Sequence, residues 1–250
     1  YYLIMQKKYQ YINQKYWEEN LSQKDWYLKL ANDFKKYIIK PDENIKDRKQ
    51  IKREIYTIVN DFYKKNKLYL GTSGENWDIE RKPIEHIVLH HTSAPANVSL
   101  SLLSTVQMIR LYVNQYLLKK DKLKYPNDPV VYGQPLWSNH FRRGKMVFFA
   151  YHWLIRSDGS AQRLLQDNEI GWHAGSWPIN CASVAICFSG DFENKMPNKK
   201  MLDSVVKIIK ENYSKVPKKN ILGHGETKPE PTSCPGKYLG HIKKYIKERL

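Results

Sequence analysis

The sequence predicts an α/β or α+β fold, in which helices pack on a β-sheet, preceded by a helical N-terminal segment. Short apolar runs such as "IEHIVLHH" (84–91) and "ASVAICFSG" (182–190) are typical of strands. Amphipathic runs with helical spacing lie between and after them. With 250 residues, 41% of them hydrophobic, the chain can bury one ordinary core and still carry an appendage.

The first 66 or so residues are rich in Lys and Tyr and are expected to form helices. Apolar residues recur there at helical spacing: Trp26, Leu30, Phe34 and Ile38, then Ile51, Ile55, Ile58, Val59 and Phe62. "KPDENIKD" (40–47) is the expected turn between two helices, and "LGTSGENWDIERKP" (70–83) has the composition of a linker. We therefore predict a helical extension of unknown role over 1–75 and a second domain over 76–250.

The second domain is expected to alternate strands and helices. "SLLSTVQMIRLYVNQYLLKK" (101–120) predicts an amphipathic helix, and "KMVFFAYHWLIRSDGSAQRLL" (145–165) predicts a hairpin that turns at Ser157-Asp158-Gly159. "NKKMLDSVVKIIKENY" (198–213) predicts another amphipathic helix, and "HIKKYIKERL" (241–250) a short basic one.

The strongly basic charge predicts an anionic partner. A net charge of +17 and a pI near 9.6 suit nucleic acid, an anionic membrane or an acidic cell-wall polymer. No recognisable nucleic-acid motif accompanies the charge, so we expect no nucleic-acid partner. The sequence contains no apolar run of about 18 residues, so no transmembrane helix is predicted. "YYLIMQKKYQ" is too short and too soon polar for a complete signal peptide, so localisation stays open, with the cell envelope or the exterior favoured.

Cysteine usage points away from a disulfide scaffold. The three cysteines, Cys181, Cys187 and Cys234, are an odd number and form no C-x-x-C pair, which also disfavours a closed zinc finger. One of them lies in "GHGETKPEPTSCPG" (223–236), ten positions after His224. This histidine and this thiolate are candidate ligands of a catalytic zinc ion, although a free surface cysteine near a solvated histidine is an equal alternative.

A third ligand is expected from "IVLHHTSAP". Side chains alternate along a strand, so His90 and His91 face opposite sides and only one can enter a site shared with His224 and Cys234. For either histidine alone, a structural role is the alternative.

Five blocks of sequence together resemble a known family. "IVLHHTSAP", "AYHWLIRSDGS", "GWHAGSW", "SVAICFSGDF" and "ILGHGETKPEPTSCPG" have the order and rough spacing of the N-acetylmuramoyl-L-alanine amidases, a family that includes phage lysozyme-type amidases and peptidoglycan recognition proteins. The resemblance covers about residues 84 to 240. It implies a central mixed β-sheet flanked by helices, a Zn²⁺ cofactor, and peptidoglycan as the partner. The basic charge makes anionic wall polymers a further candidate partner.

The resemblance also assigns roles to individual residues. It implies that His90, His224 and Cys234 bind the zinc ion, that Tyr151 is the catalytic tyrosine, and that Thr232 lies beside the zinc-bound water. A recycling branch of the family has a glutamate where this chain has Cys187, so proton handling is expected to follow the Tyr and Lys/Thr pattern. A Zn²⁺ ion with two neutral His and one Cys⁻ ligand keeps a charge near +1 and lowers the pKa of bound water to about 7.

"GWHAGSW" places aromatic residues around two glycines, which suits contact with sugar or stem peptide. We expect substrate contacts from Trp172, His173 and Trp177, with a role behind the metal ligands as the alternative for His173. Arg163 is a candidate for a stem-peptide carboxylate, and simple solvation is its alternative.

The function predicted by the resemblance is zinc-dependent hydrolysis of the bond between N-acetylmuramic acid and L-alanine in peptidoglycan. A peptidoglycan-binding protein without catalysis is the alternative. Loss of catalysis in the family usually replaces a ligand, often the cysteine, and here all three ligands are present. For residues 1–75, wall targeting, partner binding, a cap over the catalytic face and ordinary solvated helices all stay open.

Overall fold

The computed structural model describes residues 9–39, 44–93, 109–110, 113, 133–147, 151–227 and 232–250. They fall into two compact units. The first contains residues up to 76 and those between 100 and 148, and the second contains 77–99 and 149–250. The division of the chain into domains 1–75 and 76–250 stays a prediction.

Helices build the N-terminal part of the first unit, as predicted. They are α1 (Gln14–Leu21), α2 (Trp26–Lys29), α3 (Ala31–Phe34), a π-helical turn (Lys35–Ile39) and α4 (Arg48–Lys64). Both predicted apolar series are buried except Phe62, which is half-buried. The predicted turn over 40–47 falls partly outside the described residues.

Aromatic side chains make up much of this unit's core. The ring of Phe34 packs edge-on against Trp17 and Trp26, with centroids 5.6 Å and 6.3 Å away. The Trp26 indole N–H donates to the carbonyl of Tyr69 at 2.9 Å, which ties the chain after α4 to α2. A small hairpin, β2 (Phe141–Arg142) and β3 (Lys145–Met146), also belongs to this unit.

A five-stranded mixed sheet forms the centre of the second unit. Its strands are β1 (His86–His91), β4 (Trp153–Ile155), β5 (Ala161–Arg163), β6 (Ser183–Phe188) and β7 (Ile221–Gly223), in the order β5-β4-β6-β1-β7. Only β5 runs antiparallel to its neighbour. The helices of this unit are α5 (Trp177–Cys181), α6 (Lys199–Asn212) and α7 (Leu239–Arg249). The predicted fold class is therefore confirmed.

The two faces of this sheet differ. Alternate residues of β1 and β6, including Leu89 and Ile186, pack in one apolar cluster with Val205 of α6 and Ile246 of α7. Burying each such side chain contributes roughly 1.5–3 kcal/mol. The residues between them in sequence, among them His90, lie on the other face because side chains alternate along a strand. The polar histidine is thereby kept out of the apolar cluster.

The predicted hairpin is confirmed only in part. β4 and β5 pair across a turn at 157–159, but residues 145–146 pair with 141–142 instead of extending β4. Most of the predicted helix over 101–120 lies outside the described residues. Among the described residues, no helix combines the length and apolar character needed to cross a bilayer.

Candidate active site

Strand pairing brings the two predicted histidine ligands together. Leu89 of β1 and Gly223 of β7 are partners in a parallel pair, and His90 and His224 each follow by one residue. Parallel strands end at the same edge of a sheet, so their two rings meet, with centroids 4.6 Å apart. Cys234 reaches them from the loop that precedes α7.

The three predicted ligands form one cluster. One donor atom from each of His90, His224 and Cys234 lies within 4.8 Å of the other two. Cys234 Sγ is 3.8 Å from His90 Nδ1 and accepts a hydrogen bond from the His91 backbone N–H at 3.5 Å. Around a tetrahedral zinc ion an imidazole nitrogen and a thiolate sulfur lie about 3.5 Å apart. The three residues therefore need to move only a little closer together to bind a zinc ion.

Close backbone packing holds the loop of Cys234 against the turn of His224. The Gly225 N–H donates to the Cys234 carbonyl at 3.2 Å. A Cβ at position 225 would lie 2.3 Å from the Thr232 carbonyl oxygen, so only glycine allows this approach. The Thr232 hydroxyl in turn accepts from the Cys234 N–H at 3.4 Å.

An ion pair between exposed Glu226 and half-buried Lys243 supports the turn that carries His224. The Glu226 carboxylate accepts from the Gly223 N–H at 2.7 Å and from Lys243 Nζ of α7 at 2.8 and 2.9 Å. Burial alone raises the pKa of Glu226, but hydrogen bonds from Lys243 and Gly223 outweigh it and hold the pKa below its ordinary value. Glu226 is therefore ionised at neutral pH.

His173 contacts His90, the first of the three predicted zinc ligands. It is 6% exposed, and its Nδ1 is 3.1 Å from His90 Nε2, while its Nε2 is 3.1 Å from the Ser183 hydroxyl. Burial, and then the neighbouring His152 and His224, hold the pKa of His173 well below its ordinary value, so it is neutral. The Oδ1 atom of Asn180 accepts from the His173 N–H at 3.1 Å and fixes the loop.

The ring of Tyr151 also packs against that of His90. Its ring centroid is 5.2 Å from that of His90, and the residue is 4% exposed. The thiol of Cys187 is fully buried. Burial, followed by the nearby Cys234, raises the pKa of Cys187 well above its ordinary value, so this thiol stays protonated.

Two further histidines are held in structural roles. His91, on the opposite side from His90 as predicted, accepts from the Phe192 N–H at 2.9 Å through Nδ1. His152 accepts from the Ala185 N–H at 3.1 Å and its Nε2 lies 3.0 Å from the Glu169 carbonyl. Burial, then the charge of a nearby arginine, lowers the pKa of His152 to about 3.

The predicted tryptophans form an aromatic patch next to His173. The Trp172 and Trp177 rings are 5.0 Å apart, and Trp77 packs edge-on against Trp177 at 6.3 Å. The Trp177 indole N–H donates to Glu80 Oε2 at 2.6 Å. All three tryptophans are half-buried, so each retains exposed ring surface.

Arg163 is placed on the edge strand β5, where protein groups already engage its guanidinium. Its nitrogens donate to Asp167 Oδ1 at 2.5 Å and to the Tyr213 hydroxyl at 2.8 Å, and its charge lies 4.6 Å over the Trp153 ring. A substrate carboxylate would have to compete with Asp167 for this arginine.

Sequence reasoning missed three contributors to the site: Asn180, Ser183 and the segment with Trp77 and Glu80. Ser183 is a buried polar residue at the start of an apolar strand, which is a signal that could have been read. Asn180 and Glu80 gave no such signal, since they resemble ordinary surface residues.

The chain is similar to several known proteins. The family model of the N-acetylmuramoyl-L-alanine amidases matches residues 80–237. A peptidoglycan-recognition protein of Drosophila simulans is 31% identical over 112 residues, which are 43% of this chain and 59% of that protein. Peptidoglycan-recognition protein 1 of Holotrichia diomphalia is 27% identical over 128 residues, 51% of each chain. The match thus spans less than two thirds of these curated relatives.

Among solved structures, the N-acetylmuramoyl-L-alanine amidase LysC from Clostridium intestinale is similar, with a TM-score of 0.45 and 19% identity. The alignment covers 70% of this chain and 95% of LysC. Because the family model matches more than half of the chain, including the three clustered residues His90, His224 and Cys234, this chain belongs to the N-acetylmuramoyl-L-alanine amidase family.

Proposed function

We propose that this chain is a zinc-dependent amidase that hydrolyses the bond between N-acetylmuramic acid and L-alanine in peptidoglycan. The observation that carries the proposal is the cluster of one donor atom each from His90, His224 and Cys234, within 4.8 Å of one another. Two imidazoles and a thiolate are zinc ligands, and three protein ligands are typical of a catalytic site. When bound, the ion would polarise the scissile carbonyl and activate a water molecule.

His173 orients the first ligand in this proposal. Nδ1 of His90 is directed at the three-residue cluster that would hold the zinc ion. The ring proton of His90 therefore lies on Nε2, which donates to His173 Nδ1. His173 then donates from Nε2 to the Ser183 hydroxyl. This chain of two hydrogen bonds sets the tautomer and ring plane of His90, as is common for histidines that bind metals. The buried position of His173 favours this role over direct contact with substrate.

Two hydroxyls are the proposed catalytic groups. Tyr151 lies against the His90 ring, and Thr232 lies two residues before Cys234. As water attacks the amide, negative charge grows on the carbonyl oxygen, and these hydroxyls are the donors that stabilise it. Removal of one such donor typically lowers kcat by about 100- to 1,000-fold.

We propose that the substrate contacts the patch of Trp172 and Trp177 on one side and a groove beside Cys234 on the other. The groove is lined by Gly225, Thr232 and Lys237, among other residues. Half-exposed indoles stack well on the apolar face of a sugar ring. We also propose that residues 76–250 carry the activity and that the basic surface favours anionic wall polymers over nucleic acid.

Mass spectrometry of products from defined muropeptides tests the proposal. We expect the wild-type protein to release free stem peptide, and His224→Ala and Cys234→Ala to lose both zinc and activity. The matched control is His241→Ala, because His241 is an exposed histidine on α7. Retained activity in the metal-free protein would refute the proposal.

A recognition protein without catalysis is the second candidate, because the curated relatives with the matches above are named peptidoglycan-recognition proteins. Zinc-loaded protein that binds purified walls and releases no stem peptide from them would favour this candidate over the amidase.

A further inference from the structure

The guanidinium of Arg81 has no part in the chemistry proposed so far. Arg81 is half-buried in the second unit and lies shortly before β1. Its Nε donates to the Asp167 carbonyl at 2.7 Å. Its Nη1 donates to three further backbone carbonyls, those of Asn180, Cys181 and Ser183, at 3.2, 3.1 and 2.8 Å. One side chain thereby ties several points of the main chain together.

Three of these carbonyls belong to the segment 180–183, which connects α5 to β6. Side chains of this segment contact His173. The Asn180 amide oxygen accepts from the backbone N–H groups of His173 and Ala174, at 3.1 and 2.8 Å. The Ser183 hydroxyl lies 3.1 Å from His173 Nε2. Arg81 therefore binds the main chain of two residues whose side chains hold His173 in place.

Backbone hydrogen bonds also join the chain before β1 to this segment. The Lys82 N–H donates to the Cys181 carbonyl at 3.0 Å, and the Glu85 N–H donates to the Ala182 carbonyl at 2.8 Å. These bonds align the two stretches of chain. The guanidinium adds a charged, planar group that donates to several acceptors from one position. Because charge-assisted hydrogen bonds are about twice as strong as neutral ones, Arg81 should stiffen a segment that the backbone bonds align.

We infer that Arg81 is a positioning residue that fixes the segment 180–183 and thereby the orientation of His173. The inference rests on the proposed zinc site, in which His173 Nδ1 accepts from His90 Nε2 at 3.1 Å. Support of this kind behind a metal-binding histidine sets the tautomer and ring plane of that histidine. Arg81 thus acts on His90 through His173.

Amide hydrogen exchange of the metal-free full chain tests the first step, from Arg81 to His173. We expect Arg81→Lys to speed exchange of the His173 backbone amide about tenfold, because lysine keeps the charge but cannot bind several carbonyls from one plane. The amide of Val205, which is fully buried on α6, should exchange as in wild type.

The matched control is Arg156→Lys. Arg156 is also half-buried in the second unit, but its guanidinium donates to the Gln162 side chain within the β4–β5 hairpin. This variant should leave exchange at His173 unchanged.

Zinc affinity, measured by competition with a chromophoric chelator, tests the second step, from His173 to His90. We expect Arg81→Lys to weaken zinc binding about tenfold, the low end of the range known for lost support of a metal ligand. In the His173→Ala background the same substitution should have no further effect, because its route to His90 is already broken. Equal losses of affinity in both backgrounds would overturn the inference.

The exchange measurement separates this inference from the proposed function. Faster exchange at His173 and Val205 alike would overturn the inference, since it would show only a loss of global stability. Unchanged exchange at His173 in Arg81→Lys would overturn it whether or not the protein binds zinc. A wild-type protein that binds no zinc, with His173 loosened in Arg81→Lys, would contradict the proposed function and support the role of Arg81 at His173.

Discussion

Replacement of Gly225 by alanine should damage the metal site without touching a ligand. Gly225 does not need a left-handed backbone, since its φ is not among the positive values of the chain. It needs space, because the added Cβ would lie 2.3 Å from the Thr232 carbonyl oxygen. Ordinary contact begins at 3.4 Å, so the two segments must separate by about 1.1 Å.

That separation is large compared with the tolerance of a zinc site. Cys234 is two residues from Thr232 and its Sγ is 3.8 Å from His90 Nδ1, whereas metal–ligand distances vary by only about 0.2 Å. We therefore expect zinc affinity to fall by about 10- to 100-fold, the range known for lost support of metal ligands. The metal-free protein should lose about 1–3 kcal/mol of stability through overpacking.

Zinc affinity is measured by competition with a chromophoric chelator, and stability by urea unfolding of the metal-free protein. The matched control is Gly240→Ala, because a Cβ at position 240 of α7 would meet nothing within 4 Å. This variant should keep its zinc affinity and gain up to about 1 kcal/mol from helix propensity. Wild-type zinc affinity in Gly225→Ala would show that the close approach to Thr232 does not hold the ligands.

Three further predictions concern neighbouring groups. Glu226→Gln should lower the Tm at pH 7. The pKa of Glu226 in the folded protein lies below its ordinary value of 4.5. The difference in Tm between wild type and variant should therefore be largest above pH 4.5 and vanish as the pH falls through the folded-state pKa. A difference that grows in acid would contradict this sign. Arg163→Gln should lower the Tm, because the contacts with Asp167 and Tyr213 are lost. If no substrate carboxylate binds Arg163, KM should change less than about twofold. A rise in KM at unchanged Tm would instead support contact with substrate. Trp177→Ala should raise KM for glycan-linked substrate several-fold at constant zinc content, and an unchanged KM would remove the aromatic patch from the proposed contacts.

Long periodic segments could be predicted from the sequence. The spacing of Leu202, Val205 and Ile209 predicted α6 closely at both ends, and the largely apolar segments 84–91 and 182–190 predicted β1 and β6. The three-residue strand β7 could not be predicted, because a run of three shows no period. The pairing of 145–146 with 141–142 was missed because strand partners are long-range choices that local patterns do not encode.

The candidate site, like the fold, could be predicted only in part from the sequence. Alternation along β1 predicted that only one of His90 and His91 enters the cluster, and the contacts of both residues agree with it. The contact of Ser183 with His173 and the pairing of Cys187 with His90 depend on which strands are neighbours and in what register. Those facts appear only once the sheet is assembled, so a single sequence could not supply them.

Zinc K-edge X-ray absorption on the purified full chain tests the central claim most directly. The account predicts one bound zinc ion per chain with one sulfur at about 2.3 Å and nitrogen or oxygen at about 2.0 Å, and loss of the sulfur shell in Cys234→Ala. A zinc ion whose spectrum shows no sulfur, or a wild-type chain that binds no zinc at equilibrium, would contradict it.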